Sequence, residues 1–128
     1  MPKKLARKLP MAPAAAECCP SAAGAVPPRT AARTRAVSVF RALGDPSRMD
    51  IFALIASRPE AICVCDIVSR FDLRQPTISH HLKVLRDAGL VTATRRGTWA
   101  YYAIDRRGAA AARAALDALV PEAARAQP

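Results

Sequence analysis

Gln75-Pro76-Thr77-Ile78-Ser79-His80-His81-Leu82-Lys83-Val84-Leu85-Arg86-Asp87-Ala88-Gly89-Leu90 is the stretch on which the fold turns. Pro76 suits a first helical turn, where a missing N–H is no loss. Ile78, Leu82 and Leu85 fall at i, i+4 and i+7, one face of a helix, and Gly89 supplies a left-handed stop. By angle His80 lies opposite Ile78 on the outer face, and His81 lies beside the apolar stripe. Just upstream, a short third helix is expected over Ile62–Phe71, burying Ile67 with Val64 or Val68, and Asp72-Leu73-Arg74 forms the turn. Two short helices joined by a tight turn, the second polar outside, read as a helix-turn-helix. Downstream, Val91-Thr92-Ala93-Thr94 and Trp99-Ala100-Tyr101-Tyr102-Ala103-Ile104 read as strands around Arg95-Arg96-Gly97-Thr98. A hairpin directly after a recognition helix is a wing.

Further out, Val37, Phe40, Arg41 and Leu43 at helical spacing predict a first helix over Thr30–Leu43, stopped by Gly44. Asp45 is an N-cap and Pro46 a first helical position, followed by Ile51, Leu54 and Ile55, until Arg58-Pro59 ends that helix. The segment Arg106–Ala126 predicts an Ala-rich helix carrying Leu116, Leu119 and Val120, interrupted at Pro121. Alone it buries too little apolar surface to hold to a small body, so it is expected to pack, with the Thr30–Leu43 helix, against a partner subunit. The fold class is mainly α with a β-hairpin wing, a winged helix-turn-helix homodimer. Residues 1–29, rich in Ala, Pro and basic side chains, form a flexible basic arm, and residues 30–126 form the DNA-binding and dimerisation domain. Met11 is an alternative start that leaves Cys18 and Cys19 in place.

Composition sets the partner class. The chain has 128 residues, 20 Lys+Arg against 10 Asp+Glu, and a formal charge of +10. That length gives one small domain and excludes a multidomain enzyme with a deep interior. Aromatic residues make up only 5%, so the core is built from Leu, Ile, Val and Ala, which favours helices. No apolar run approaches the roughly 18 residues of a membrane span. The positive surplus points to a polyanion, with nucleic acid leading. Gln75, Thr77, Ser79, His80 and Lys83 are the candidate groove-facing residues, and Arg86 is nearby for phosphate. Arg95 and Arg96 at the wing tip suit a minor groove or its phosphates. No Gly-rich phosphate loop or nucleophile–base pair supports catalysis.

The four cysteines are Cys18, Cys19, Cys63 and Cys65. The basic start resembles a secretory n-region, but Pro10, Pro13 and Glu17 interrupt any apolar segment. The expected compartment is the cytoplasm, where thiols stay reduced and close-set cysteines bind metal or sense redox state. If both lay on a regular helix, Cys63 and Cys65 would stand about 200° apart. They can meet one ion only at a frayed or distorted helix start.

Four motifs in order now point to a family. Phe40-Arg41-Ala42-Leu43-Gly44-Asp45-Pro46-Ser47-Arg48, Cys63-Val64-Cys65-Asp66, Gln75-Pro76-Thr77-Ile78-Ser79-His80-His81-Leu82 and Gly97-Thr98-Trp99-Ala100-Tyr101-Tyr102 together resemble the ArsR/SmtB family of metal-responsive repressors. The resemblance covers roughly residues 36–105. It implies a dimeric winged helix on double-stranded operator DNA that lets go on binding an inducer, with no cofactor required. A Cys-Val-Cys-Asp box is similar to that of sensors of trivalent arsenic and antimony, or of cadmium and lead.

Arsenite takes three thiolates in a pyramid, whereas cadmium and lead accept three or four. The arsenic-type box usually carries a further Cys where this chain has Val68, so this helix supplies two thiolates and the only other cysteines are Cys18 and Cys19. Some arsenic sensors of the family carry an adjacent Cys pair after Glu, as in Glu17-Cys18-Cys19, which joins a cysteine near the third helix of the other subunit. The resemblance thus makes Cys63 the preferred third ligand, with Cys65 assisting. Cadmium/lead sensors also pair arm cysteines with a Cys-x-Cys box, and oxidation of the thiols to a disulfide is a further alternative. The family's zinc site in the C-terminal helix needs His, and residues 106–128 contain none.

Overall fold

The computed structural model describes residue 26, residues 28–120 and residues 122–126. The first two helices begin at side-chain caps. α1 (Ala31–Leu43) starts where Thr30 is extended and its hydroxyl accepts the Arg33 N–H at 3.2 Å. α2 (Pro46–Ala56) starts at Asp45, whose carboxylate accepts the Arg48 N–H at 3.0 Å, with Pro46 in the first turn. That N–H, with the Arg48 charge adding, holds the Asp45 carboxyl below its ordinary value. A depressed pKa means that the cap stabilises the fold above the unfolded value and is lost as pH falls through the folded one. Asp45→Ala is therefore expected to lower the urea midpoint at pH 7, and the gap from wild type should close as pH falls below about 4. A gap that persists unchanged into acid would show that the carboxylate charge is not what the cap uses.

β1 (Ile62–Cys63) and α3 (Val64–Val68) replace the single helix expected from Ile62 to Phe71. Ile62 and Cys63 are drawn into extended backbone because they pair antiparallel with Tyr102 and Tyr101. Ile67 is fully buried, as its spacing predicts. α4 (Gln75–Asp87) buries Ile78, His81, Leu82 and Leu85 on one face. It closes with Gly89 at φ 75°. There the Gly89 N–H donates to the Arg86 carbonyl at 2.9 Å and the Leu90 N–H to the Leu85 carbonyl at 3.0 Å.

β2 (Val91–Arg96) and β3 (Trp99–Ile104) form the hairpin, turning at Gly97 with φ 65°. The sheet order is β1-β3-β2, all antiparallel, with Arg96 opposite Trp99 and Thr94 opposite Tyr101. α5 (Arg106–Leu119) and α6 (Glu122–Arg125) follow as two helices, in line with the interruption that the sequence predicts, and Pro121 itself lies outside the described residues. Asp105 caps α5 by accepting the N–H groups of Arg107 and Gly108 at 3.0 and 3.1 Å. The fold is a winged helix-turn-helix.

Ile51, Ile55, Ile67, Ile78, Leu82, Leu85 and Leu90 are the largest fully buried side chains, so the core sits where α2, α3 and α4 meet the sheet. α1 turns a different face inward from the one its larger apolar residues suggest. Ala36, Val39 and Ala42 are buried, while Val37 and Phe40 are 55% and 40% exposed. Small side chains let α1 approach closely, and the stripe with more apolar bulk is left outside. α5 buries none of its own residues, and Leu116, Leu119 and Val120 are exposed. Between α1 and α5 runs an Ala-lined groove floored by Ala36, Val39, Ala111, Ala112 and Ala115. No helix among the described residues is long and apolar enough to cross a membrane.

Candidate functional site

Cys63 is the residue at which strand becomes helix. Its backbone is extended (φ −64°, ψ 142°) and only Cys65, two residues on, lies within α3. The 200° separation of two helical positions therefore does not arise, and the two Sγ atoms stand 2.6 Å apart. Cys63 is buried and Cys65 is exposed. The Cys65 thiol donates toward the Cys63 sulfur, and this contact, with partial desolvation and the nearby Asp66 carboxylate, pushes the Cys65 thiol above its ordinary value. Cys18 and Cys19 lie outside the described residues. Among the described residues no three His, Cys, Asp or Glu side chains gather to hold a metal ion, so the junction offers two thiols.

The recognition face is carried by α4. Gln75, Thr77, Ser79, His80, Lys83 and Arg86 are all exposed. At 100° per residue His80 and Lys83 point opposite the buried stripe, with Ser79, Gln75 and Arg86 along one flank and Thr77 along the other. Arg86 also lies 3.8 Å from the Asp87 carboxylate, an exposed pair that leaves it free to turn toward a phosphate. His81 is buried and its Nδ1 faces the Arg48 guanidinium at 3.4 Å. Arg48 also donates to the Ala42 carbonyl at 2.6 Å and the Arg41 carbonyl at 3.4 Å.

Arg48 is a strut that ties the end of α1 and the start of α2 to the recognition helix, and sequence reasoning missed it. The available signal was its position, one turn after a helix stop, where orphan carbonyls need donors.

On the wing, alternation places Thr94, Arg96, Trp99 and Tyr101 on one sheet face and Ala93, Arg95, Ala100 and Tyr102 on the other. The Arg96 guanidinium sits 4.8 Å from the Tyr101 ring centre. Cys63, opposite Tyr101, shares that face.

The sequence of this chain matches known proteins across this region. The family described as bacterial regulatory protein, arsR family, matches residues 45–93, from the α2 cap into β2. An uncharacterised HTH-type transcriptional regulator of Methanocaldococcus jannaschii is 46% identical over 74 residues, covering 57% of this chain and 82% of the relative. The chain belongs to the ArsR family.

Within the ArsR family, the arsenical resistance operon repressor of Bacillus subtilis is 43% identical over 63 residues, 49% of this chain and 59% of that protein. The one from Escherichia coli is 38% identical over 66 residues, 52% of this chain and 56% of that protein. This chain thus spans less than two thirds of the length of either repressor. A crystal structure of a possible transcriptional regulator for arsenical resistance superposes with TM-score 0.60 at 30% identity, over 69% of this chain and 90% of that one. A homodimeric winged helix-turn-helix DNA-binding domain from Mycobacterium bovis superposes with TM-score 0.54 at 30% identity, over 68% of this chain and 77% of that one.

ArsR-family wings carry a direct test here. Arg95→Ala/Arg96→Ala is expected to weaken DNA binding and reduce the slope of log affinity against log salt by about one per lost phosphate contact. Affinities measured over a salt series check this, and an unchanged slope would mean that neither arginine meets a phosphate. Thr77→Ala or Ser79→Ala should alter base preference and leave the slope alone.

Proposed function

We propose that this chain is a repressor that binds a two-fold operator as a homodimer and leaves it when trivalent arsenic, or antimony, is bound by cysteine thiolates. The observation that carries the reading is the Cys63–Cys65 pair, two sulfurs 2.6 Å apart at the start of α3, the helix just ahead of the recognition helix. Its similarity to arsenical resistance repressors at about 40% identity supports the choice of inducer. The Cys18 and Cys19 pair of the N-terminal arm joins Cys63 to complete the three thiolates that arsenite takes, with Cys65 beside it to assist. Homodimerisation buries the exposed Leu116 and Leu119 of α5 against a second copy, in line with the homodimeric Mycobacterium bovis domain.

Arsenic and a divalent cation differ in their proton balance at such a pair. Arsenous acid is uncharged at neutral pH and condenses with thiols as As(OH)3 + 3 RSH → As(SR)3 + 3 H2O, with no net proton released. Cadmium or lead must displace each thiol proton, and Cys65 holds its proton more firmly than an ordinary thiol. Two neighbouring thiols could also be oxidised to a disulfide if the sulfurs closed from 2.6 Å to the roughly 2.05 Å of an S–S bond, so a redox switch is the second reading.

The test is release of a duplex selected from random DNA by the full chain, titrated with arsenite, antimonite, cadmium, lead and zinc under reducing conditions. Release by arsenite at the lowest concentration supports the proposal. Release by cadmium or lead first would replace it with a four-thiolate sensor, and release only on adding oxidant would replace it with the disulfide reading.

A further inference from the structure

We propose that Trp99 is a DNA-contacting residue of the wing, supplying an apolar contact to the sugar wall of the groove alongside the charge of Arg96. The inference rests on the regulatory reading above and assigns a residue that none of the basic positions predicts.

Trp99 is 52% exposed at the first position of β3, whereas Tyr101, Tyr102 and Ile104 on the same strand are half-buried. Tyr102 packs against the core and Trp99 does not, so the fold leaves much of its apolar surface in water. Its place selects the partner. Trp99 is directly opposite Arg96 and shares a sheet face with it and with Tyr101. The Tyr101 ring already holds the Arg96 guanidinium at 4.8 Å, which fixes the arginine beside the indole.

From Val91 to Ile104 there is no acidic residue, so the hairpin that carries the indole has positive charge only. A polyanion with apolar edges fits that surface, and a duplex offers both, with phosphates for Arg96 and deoxyribose carbons for Trp99. Arg95, on the opposite face, has Ala100 directly across from it where Arg96 has Trp99. The two arginines thus play different parts, and the Arg96 side is the one that carries an apolar contact.

Trp99 is the sole tryptophan of the chain, so it reports on itself. The full-length protein is titrated with the selected duplex while complex formation is followed separately by mobility shift. Acrylamide quenching of tryptophan emission is expected to fall at least about twofold in the complex as the indole is covered. Trp99→Ala should lower affinity about tenfold, with the salt slope unchanged, because an apolar contact releases no counterions. Trp99→Phe should recover part of the loss. A complex that forms with unaltered quenching would overturn the proposal and leave the regulatory reading standing. A tenfold loss accompanied by a shallower slope would also overturn it, since the loss would then come through Arg96. Failure to form any complex would remove both.

Discussion

Gly108→Ala is expected to destabilise the protein by about 1–3 kcal/mol, although alanine is the better helix former by about 1 kcal/mol. A Cβ on Gly108 would be driven into the Gly89 carbonyl group, backbone against backbone. Neither side can yield cheaply. Gly89 is held at φ 75° by the two hydrogen bonds that close α4, and Leu90 next to it accepts the Asp105 N–H at 2.9 Å. α5 is pinned on its side by Asp105, which caps Arg107 and Gly108. Gly97→Ala is the control. It sits at φ 65° with open space around a new Cβ, so it incurs only the left-handed backbone cost of about 1–2 kcal/mol. Urea unfolding of the three chains checks the prediction. A Gly108→Ala protein as stable as wild type would show that α5 slides away from α4 without cost.

Cys63→Ser is expected to weaken arsenite binding by more than about a hundredfold, since removing even an outer-shell partner of a bound metal often costs 10–100-fold. Cys65→Ser should be milder, because the resemblance to sensors with an adjacent arm pair makes Cys63 the shared ligand. Burial ranks the two sulfurs the other way, with Cys65 exposed and Cys63 covered, so the pair of serine variants decides between access and ligand identity. A Cys18→Ser/Cys19→Ser chain should still repress and yet fail to release DNA with arsenite. Normal release by that chain would refute the shared site. Equal loss in both junction variants would favour four thiolates of the cadmium/lead type. The pH dependence adds an independent check. Cadmium affinity should rise with pH as the raised Cys65 thiol gives up its proton, and arsenite affinity should stay nearly flat.

The recognition helix was legible because three apolar residues at helical spacing, a proline at the start and a glycine at the end all agree, and the structure places Ile78, Leu82, Leu85 and Gly89 accordingly. β1 was not legible. A two-residue strand has no period of its own, and what makes Ile62 and Cys63 extended is a pairing with residues about forty positions further on. That same omission hid the thiol proximity, since the 200° argument assumes a helix at Cys63. The apolar stripe of α1 was legible, but its inner face was not: close packing against the body selects the small Ala36, Val39 and Ala42, while Val37 and Phe40 stay exposed. The arm cysteines, read from sequence as ligands, fall outside the described residues.

The pairing of Ile62 and Cys63 with Tyr102 and Tyr101 closes a loop that contains α3, α4 and β2. The DNA-reading part of the molecule is therefore fastened at its base by a ladder two residues long. Such a ladder is a weak seam, and when it parts the segment behind it loses one of its anchors. Amide hydrogens along α3 should then exchange together with those of Ile62 and Cys63, at a rate set by the opening of the seam and not by fraying of the helix itself. One of the two residues that form the seam carries a thiol.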